Sequence, residues 1–398
     1  MQFYRNYTLA FLLLSSSVQS AELLEPEGIK SAEGRIFPEF TLEEFYNDNL
    51  INAASNEIDT FGTFVQPKIG FEFEGSTGFL FGEYEISAAA HEASSQDDYV
   101  DQSAQLGFQY SPTSRISLGL SGEYLDTHDA RGTGAAEGTG AVQTNPDEWR
   151  HLKFDGNFSY GAESAKGRFE LDAGFINKDY ENNRSTTAVR DREDTYGSGR
   201  FYYRLMPKTS LLLEGRAINF NYDTDSVGSA SLDSTTSRVL FGVTWEGTYK
   251  TTGTAQIGYI RKDFDADARS TGEDISWEFG VEWQPRTYST VTLNTSRDFN
   301  ETNGTGNFII TDSIDLGWSH NWTDRIRTTL SFRYAEDSFD QDTTGREDEK
   351  LAFGANIIYE LRNWVEIGAG YDYDERESND NTFDYEKNIA NIFATIAF

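Results

Sequence analysis

The final stretch of the chain, residues 385–398, reads YEKNIANIFATIAF and decides the fold class. Every second position back from the terminal Phe398 is apolar or small, and this period of two is the side-chain period of a β-strand. An alternating strand that ends on an aromatic residue is typical of the last strand of an outer-membrane β-barrel, because lipid solvates one face and the barrel interior the other. We therefore expect barrel-assembly machinery to recognise this strand through Ile392, Ala394, Ile396 and Phe398.

The N-terminus has the features of a secretory signal. Arg5 supplies a positive charge, residues 9–14 form a short apolar run, and small residues suit cleavage between Ser20 and Ala21. The apolar run is too short to cross a membrane as a helix. The sequence thus predicts a signal peptide at 1–20, a short periplasmic segment at 21–34 and a barrel domain at 35–398.

The composition restricts the class of protein. The chain carries 33 Lys and Arg against 66 Asp and Glu, a formal net charge of −33, which speaks against nucleic acid or an anionic bilayer surface as a partner. Aromatic residues make up 14% of the chain, whereas acidic disordered chains have few. The sequence has no Cys, which excludes disulfides and thiol chemistry. A folded, acidic and aromatic-rich chain fits a barrel with aromatic girdles and acidic loops.

The alternation continues through most of the chain. In residues 274–283, for example, Ile275 and Trp277 share one face, and Glu278 and Glu282 share the other. Short connections that contain Gly or Pro alternate with longer polar ones, as periplasmic turns and extracellular loops do in a transmembrane barrel. The pattern predicts an all-β fold, a transmembrane antiparallel up-and-down β-barrel.

Counting strands from residues 35–49 to residues 385–398 gives about 18. An even number places the N- and C-termini together, and we expect both in the periplasm. The protein is then a monomer in the outer membrane of a Gram-negative bacterium. Its partners there include outer-membrane lipid and lipopolysaccharide.

Several strand-end segments resemble the putative β-barrel porin type 2 family. They are residues 45–49 (FYNDN), 126–132 (DTHDARG), 190–192 (RDR), 203–209 (YRLMPKT) and 258–264 (GYIRKDF). The likeness spans most of the mature chain. It implies an outer-membrane barrel associated with exopolysaccharide or capsule production, working alongside a periplasmic polysaccharide-export protein with a carbohydrate polymer as substrate. It implies no catalytic residues.

Three loop features could carry chemistry, and each favours a solvated loop instead. His128 and His151 flank residues 126–148 and could bind a metal or act in hydrolysis, but no Gly-x-Ser-x-Gly motif accompanies them. The Gly-rich residues 132–140 lack the Lys-Ser/Thr of a phosphate loop and predict a flexible extracellular loop. Acidic runs at 337–349 and 372–384 could hold calcium through carboxylates, though they form no complete EF-hand. The sequence predicts no enzyme, no cofactor and no metal site.

The polar face of the strands predicts the lining of the pore. A lumen of this size is too wide for side chains to fill, so charges can lie in water there. They could stiffen the wall by ion pairing or guide a substrate, and both interpretations stay open. The predicted pore-lining residues are Tyr196, Arg200, Tyr202, Arg204, Arg216, Glu278, Glu282, Arg325, Arg327 and Arg333.

Three classes of function remain. The resemblance favours a conduit for export of an exopolysaccharide or capsular polysaccharide. A general diffusion porin for small solutes also needs a polar lumen, and a structural or adhesive barrel needs no transport at all. The residues alone do not separate these classes.

Overall fold

The computed structural model describes residues 26–31, 34–140, 142–225, 229–248, 250–304 and 306–398. The predicted signal peptide, residues 1–20, lies outside them. The strands are β1 (Ile29–Ser31), β2 (Gly34–Asn47), β3 (Thr60–Glu74), β4 (Gly78–His91), β5 (Tyr99–Thr113), β6 (Ile116–Asp129), β7 (Asp147–Tyr160), β8 (Gly167–Tyr180), β9 (Arg192–Met206), β10 (Thr209–Tyr222), β11 (Ser234–Thr248), β12 (Thr251–Phe264), β13 (Gly272–Arg286), β14 (Ser289–Glu301), β15 (Phe308–Thr323), β16 (Ile326–Phe339), β17 (Glu347–Arg362), β18 (Val365–Ser378) and β19 (Tyr385–Ala397). A single helix turn, Arg184–Thr187, and four 3-10 turns lie in the described connections. Within the described residues no helix has the length and apolar character needed to cross a membrane.

Strands β2 to β19 form one closed antiparallel barrel of 18 strands, as the alternation predicts. Each strand pairs with the next in sequence, and β19 pairs with β2 from Ile389–Asn47 to Ala397–Glu39. The backbone N–H of Phe398 donates to the carbonyl oxygen of Pro38 at 3.2 Å, so the two ends of the barrel meet. Closure leaves no strand edge unpaired in the membrane, which is the condition for crossing lipid with strands.

The first strand differs slightly from its prediction. It covers Gly34–Asn47 rather than residues 35–49, and the segment before it contributes β1, which pairs with the start of β2. Pro67 in β3 interrupts the β3–β4 ladder, because proline has no N–H to donate, and no pairs form at Gln66 and Pro67. The side chain of Gln66 bonds instead to Glu85 at 2.9 Å across the gap.

Connections of two lengths alternate around the barrel. One end carries short turns, such as the one between β9 and β10, and both ends of the barrel chain lie there. The other end, called the mouth below, carries the longer connections, such as residues 130–146 and 181–191. This is the alternation that the sequence predicts.

The outer surface of the barrel is an apolar band. Val239 and Ile257 are 58% and 60% exposed, whereas the neighbouring inward residues Leu240 and Ile260 are fully buried. In β19, Ile392 also faces outward, as do Ala394 and Ile396 by strand alternation, and Phe398, directly after the strand, is 49% exposed. Exposed aromatic rings cluster at the short-turn end, where an interfacial girdle is expected: Trp283, Tyr288, Trp322, Trp364 and Phe398.

Candidate functional site: the barrel interior and its mouth

The inner wall of β9 carries the first group of predicted pore-lining residues. Arg200 pairs with Asp172 on β8 and lies 3.5 Å from Glu170. Tyr202 donates to Glu170 at 3.2 Å, and Tyr196 donates to Asp155 on β7. Arg204 lies nearer the short turns, where its guanidinium donates to the carbonyl oxygen of Pro207 at 3.3 Å. Three of the four predicted residues thus bond to carboxylates on the neighbouring strands.

A second polar group crosses the wall from β10 to β14. Arg216 forms two parallel bonds to Glu278, at 2.7 and 2.9 Å, and a third to Glu214 at 2.5 Å. Arg238 also donates to Glu278, at 2.6 Å, and pairs with Asp298. In a bidentate arginine–carboxylate pair, the two parallel hydrogen bonds fix the relative orientation of the two side chains in addition to the attraction between their charges. This part of the wall is therefore a network of paired charges, two arginines with three carboxylates.

A cavity of about 330 Å³ opens beside this network. Arg and Glu side chains line it next to neutral hydrogen-bonding groups, and its lining includes Arg200, Tyr202, Glu214, Arg216, Gln256, Glu278, Asn294 and Ser296. Gln256 bonds to Glu214 at 2.9 Å, which fixes its amide. The cavity thus offers both donors and acceptors from held side chains.

The remaining predicted lining residues lie in different surroundings. Arg333 pairs with Asp315 at 2.9 Å, and Arg327 is buried at the base of β16. Glu282 lies on exposed wall near the short turns and bonds to Gln284 at 2.8 Å. Arg325 does not share this face, because it lies in the exposed turn before β16, outside the strands. The backbone N–H of Arg325 donates to the hydroxyl of Thr323 at 3.2 Å, and this hydrogen bond stabilises the turn.

The tip of the β14–β15 hairpin leans into the barrel. Pairing of β14 with β13 stops at Arg297–Trp277, and beyond it Phe299 and Phe308 pack on Ile260 in a buried cluster. Glu301 then pairs with the fully buried Lys262 on β12. The hairpin thus narrows the lumen below the mouth.

Residues 130–140 of the β6–β7 connection, called the mouth loop below, fold inward over the lumen. Its first residues are fixed by the buried pair of Arg131 with Asp97, whose second bond measures 2.8 Å. Gly132 has φ +79°, and a Cβ there would lie 2.2 Å from the carbonyl oxygen of Ile51, so only glycine fits. The sequence predicted a solvated loop at residues 132–140, and that prediction is wrong for Gly132, Ala136 and Gly140, which are buried, whereas Gly138 and Thr139 are exposed.

The tip of the mouth loop reaches the far side of the barrel. Glu137 accepts a hydrogen bond from Arg346, before β17, at 2.7 Å and forms an ion pair with Arg376, on β18, at 2.9 Å. Asn303, after β14, donates to the same carboxylate. One side chain therefore joins the β6–β7 connection to three other parts of the mouth.

Arg346 belongs to the acidic stretch that the sequence predicted as a solvated loop. Its guanidinium lies between the rings of Phe339 and Phe383, 4.2 and 3.5 Å from their centroids, and it bonds to Asp348 at 2.9 Å. Burial lowers the pKa of Arg346, but Asp348 and Glu137 outweigh it, and the net shift is upward. The solvated reading is wrong for this part of the stretch, since Arg346 is 2% and Asp348 1% exposed.

A second connection also crosses the mouth. Arg190, in the 3-10 turn before β9, donates to the carbonyl oxygen of Thr302 after β14. Arg269, before β13, donates to the carbonyl oxygen of Ser231 at 2.8 Å and to Asn307 at 2.5 Å. Together with Glu137, these arginines form a cap of bonded loops over the lumen. Sequence reasoning missed the cap, although a lone Glu in a Gly-rich stretch was visible.

The two candidate histidines and a cluster of aspartates lie at separate positions. His128 contacts Asp101 at 2.9 Å and His151 lies 3.6 Å from Glu123, so the two histidines share no partner. Near the mouth, one carboxylate oxygen each from Asp179, Asp191 and Asp223 lies within 4.8 Å of the others. Arg184 already pairs with Asp191, which supplies a protein countercharge to that cluster.

Known structures share this architecture at low sequence identity. The FrpB iron transporter from Neisseria meningitidis (F5-1 variant) matches with a TM-score of 0.52 and 12% identity, over 93% of this chain and 83% of that chain. OccAB4 from Acinetobacter baumannii matches with a TM-score of 0.49 and 12% identity, over 92% of this chain and 99% of that chain. The likeness to FrpB concerns the fold alone.

Sequence comparison gives the family. Among curated proteins, none matches this chain. A family model described as "Putative beta-barrel porin 2" matches residues 24–398, nearly the whole chain. The closed 18-strand barrel and its apolar outer band agree with that description. The chain is therefore a porin-like outer-membrane β-barrel that belongs to the putative beta-barrel porin 2 family.

Proposed function

We propose that this barrel is the outer-membrane conduit through which a carbohydrate polymer, an exopolysaccharide or capsular polysaccharide, is exported. The observation that carries the proposal is the inner wall from β9 to β14. There Arg200, Glu214, Arg216, Gln256 and Glu278 line a cavity of about 330 Å³ with held donors and acceptors. Each sugar hydroxyl donates and accepts hydrogen bonds at once, so a wall of alternating donors and acceptors suits it.

The charges of this wall are matched with one another. Arg216 and Arg238 both bond to Glu278, and Arg200 pairs with Asp172. A mobile ion would have to compete with the side chain that already pairs with each charge. A sugar hydroxyl can instead form an additional hydrogen bond to a side chain that stays paired. Transport also requires binding weak enough to release the substrate. Paired charges meet that condition better than free ones.

The capped mouth supports a gated conduit over a permanently open pore. Glu137 pairs with Arg346 and Arg376 on the far side of the mouth, and Arg190 donates a hydrogen bond to Thr302 after β14. A general diffusion porin has to pass small solutes at all times, which a bonded cap opposes. Family resemblance to barrels associated with exopolysaccharide production points the same way. We expect the short-turn end to meet a periplasmic polysaccharide-export protein.

The test is deletion of the gene in the organism that makes the polymer. Surface polysaccharide is then lost while the polymer-synthesising enzymes stay active, and a plasmid copy of the wild-type gene restores it. Purified barrel in liposomes gives little swelling in small sugars, because the cap is closed. Full surface polymer in the deletion strain, together with free swelling of the liposomes, contradicts the proposal and supports a diffusion porin.

A further inference from the structure

Two buried arginines of the mouth converge on one carboxylate. Arg346 and Arg376 are 2% and 3% exposed, and both form ion pairs with Glu137, at 2.7 and 2.9 Å. Arg376 is further fixed by a 2.6 Å bond from its Nε to the carbonyl oxygen of Phe383. The two guanidinium groups therefore keep their positions through contacts that do not involve Glu137.

The two arginines do not depend on Glu137 equally. Arg346 also has Asp348, at 2.9 Å, and keeps that partner if the mouth loop moves away. For Arg376, Glu137 is the carboxylate within ion-pair distance among the residues that the structure describes. The Nη2 atom of Arg376 is buried and has no hydrogen-bond partner in the same part of the chain. Loss of Glu137 leaves Arg376 as a buried cation without a countercharge, which is strongly unfavourable.

We propose that Arg346 and Arg376 form a carboxylate-binding site, and that Glu137 occupies it while the mouth is closed. A carboxylate on the substrate, such as that of a uronic acid residue in an acidic saccharide, takes the place of Glu137 and releases the mouth loop. A planar carboxylate can bond to two N–H groups of one guanidinium, so an incoming one can also use Nη2 of Arg376. The choice of a saccharide rests on the proposed function, while the carboxylate specificity rests on the two arginines.

The geometry of the mouth loop explains why its tip moves first. The root of the loop is fixed by the Arg131–Asp97 pair and by close packing of Gly132 on Ile51. Its tip is fixed to the far side through Glu137. A ligand shifts a conformational equilibrium only through its different affinity for the two states. Because Glu137 fills the site when the mouth is closed, a free carboxylate binds the open state and favours it.

The experiment measures single-channel currents of the purified full-length barrel in planar bilayers. Sodium glucuronate raises the open time of the wild-type channel roughly tenfold over glucose at equal ionic strength, within the usual range of coupling between two sites. Glu137→Gln opens the channel without ligand by a similar factor and removes the response to glucuronate. The matched control is Glu163→Gln, which removes the same charge at an exposed position in the short turn between β7 and β8 and behaves as wild type.

Equal open times in glucuronate and glucose for the wild-type channel overturn the proposal, and so does a Glu137→Gln channel that stays closed. Heat-modifiable mobility on gels shows whether the variant is folded, and if it is not, the wild-type comparison decides alone. Failure of the proposed function is a separate result. Normal surface polymer in a deletion strain contradicts the proposed role in polymer export. The response to glucuronate is measured independently, with the purified barrel and a monosaccharide.

Discussion

Glu137 and Arg376 form an ion pair of 2.9 Å between Oε1 and Nη1, and this pair joins the mouth loop to strand β18 across the lumen. Both partners are largely withdrawn from water, with side-chain exposures of 14% and 3%. Removing one partner of a buried ion pair is strongly destabilising, because the other charge stays buried without a countercharge. The mouth therefore has a closed arrangement held by specific side chains.

Replacing Arg131 with Ala is expected to loosen the root of the mouth loop. Its pair with Asp97 is almost fully buried, so removal of one partner costs about 3–5 kcal/mol of local stability. A protease that cleaves after Glu then cuts at Glu137 in the intact barrel faster than in the wild type. The control is Arg150→Ala, because Arg150 is half exposed and solvent screens its pair with Glu181. Equal cleavage rates in the two variants contradict the prediction.

Two glycines separate backbone strain from packing at the mouth. Gly132→Ala and Gly345→Ala both place a side chain at positive φ, +79° and +64°, which costs roughly 1–2 kcal/mol. Only the Cβ at Gly132 meets a neighbour, the carbonyl oxygen of Ile51, while the Cβ at Gly345 meets open space. We expect Gly132→Ala to displace the mouth loop and raise bilayer conductance, with Gly345→Ala close to wild type. A higher conductance for Gly345→Ala than for Gly132→Ala contradicts the prediction.

The inner-wall arginines should differ in their tolerance to charge reversal. The sequence predicts that charges of the inner wall can lie in water, and an Arg in water could change to Glu without loss of barrel. Arg333 fits that expectation, because it and Asp315 are about one third exposed. Arg216 does not, because Arg216→Glu places a third carboxylate beside Glu214 and Glu278.

Folded barrel in the membrane fraction measures this difference. Arg333→Glu is expected at near-normal abundance, with a shift of bilayer ion selectivity toward cations. Arg216→Glu is expected to lower the abundance, since like charges repel in a partly buried network. Equal abundance of the two variants shows that the Arg216 network does not hold the wall.

Deletion of Phe398 is expected to reduce assembly more than stability. Its ring stacks on Trp364 with centroids 5.7 Å apart, yet it remains 49% exposed, so little packing is lost. If assembly machinery recognises the terminal aromatic, the folded protein in the outer membrane falls while the transcript stays constant. Unchanged abundance and unchanged heat-modifiable mobility contradict that role.

The barrel could be predicted from sequence because its determinants are local. Alternation along each strand, as in residues 274–283, and the two classes of connection were enough to give 18 strands. The same alternation placed Arg200, Arg216 and Glu278 on the inner wall, where the cavity lies. Arg325 lies an even number of positions before the inner-wall residue Arg333, so alternation alone predicted that it lines the pore. It lies in the turn before β16, outside the strand, and that prediction is wrong.

The cap could not be predicted in this way. Glu137 and Arg346 are 209 positions apart, and no period or motif links them. Their contact depends on how far the connections lean over the lumen, which follows from the packing of glycine backbone against Ile51. Composition pointed the other way, because a Gly-rich stretch and an acidic stretch both read as solvated loops. Their charges are buried because each has a partner in another loop.

A cross-link across the mouth tests directly whether the lumen beneath the mouth loop is the transport path and whether this loop closes it. The chain has no Cys, so Glu137→Cys and Asn303→Cys, at positions whose side chains touch, provide the only thiols. A short reversible thiol cross-linker can then fix the loop to the β14–β15 connection in purified barrels in liposomes. We expect negligible flux of an oligosaccharide through the cross-linked barrel and a large flux after reduction. Equal flux in both states contradicts it.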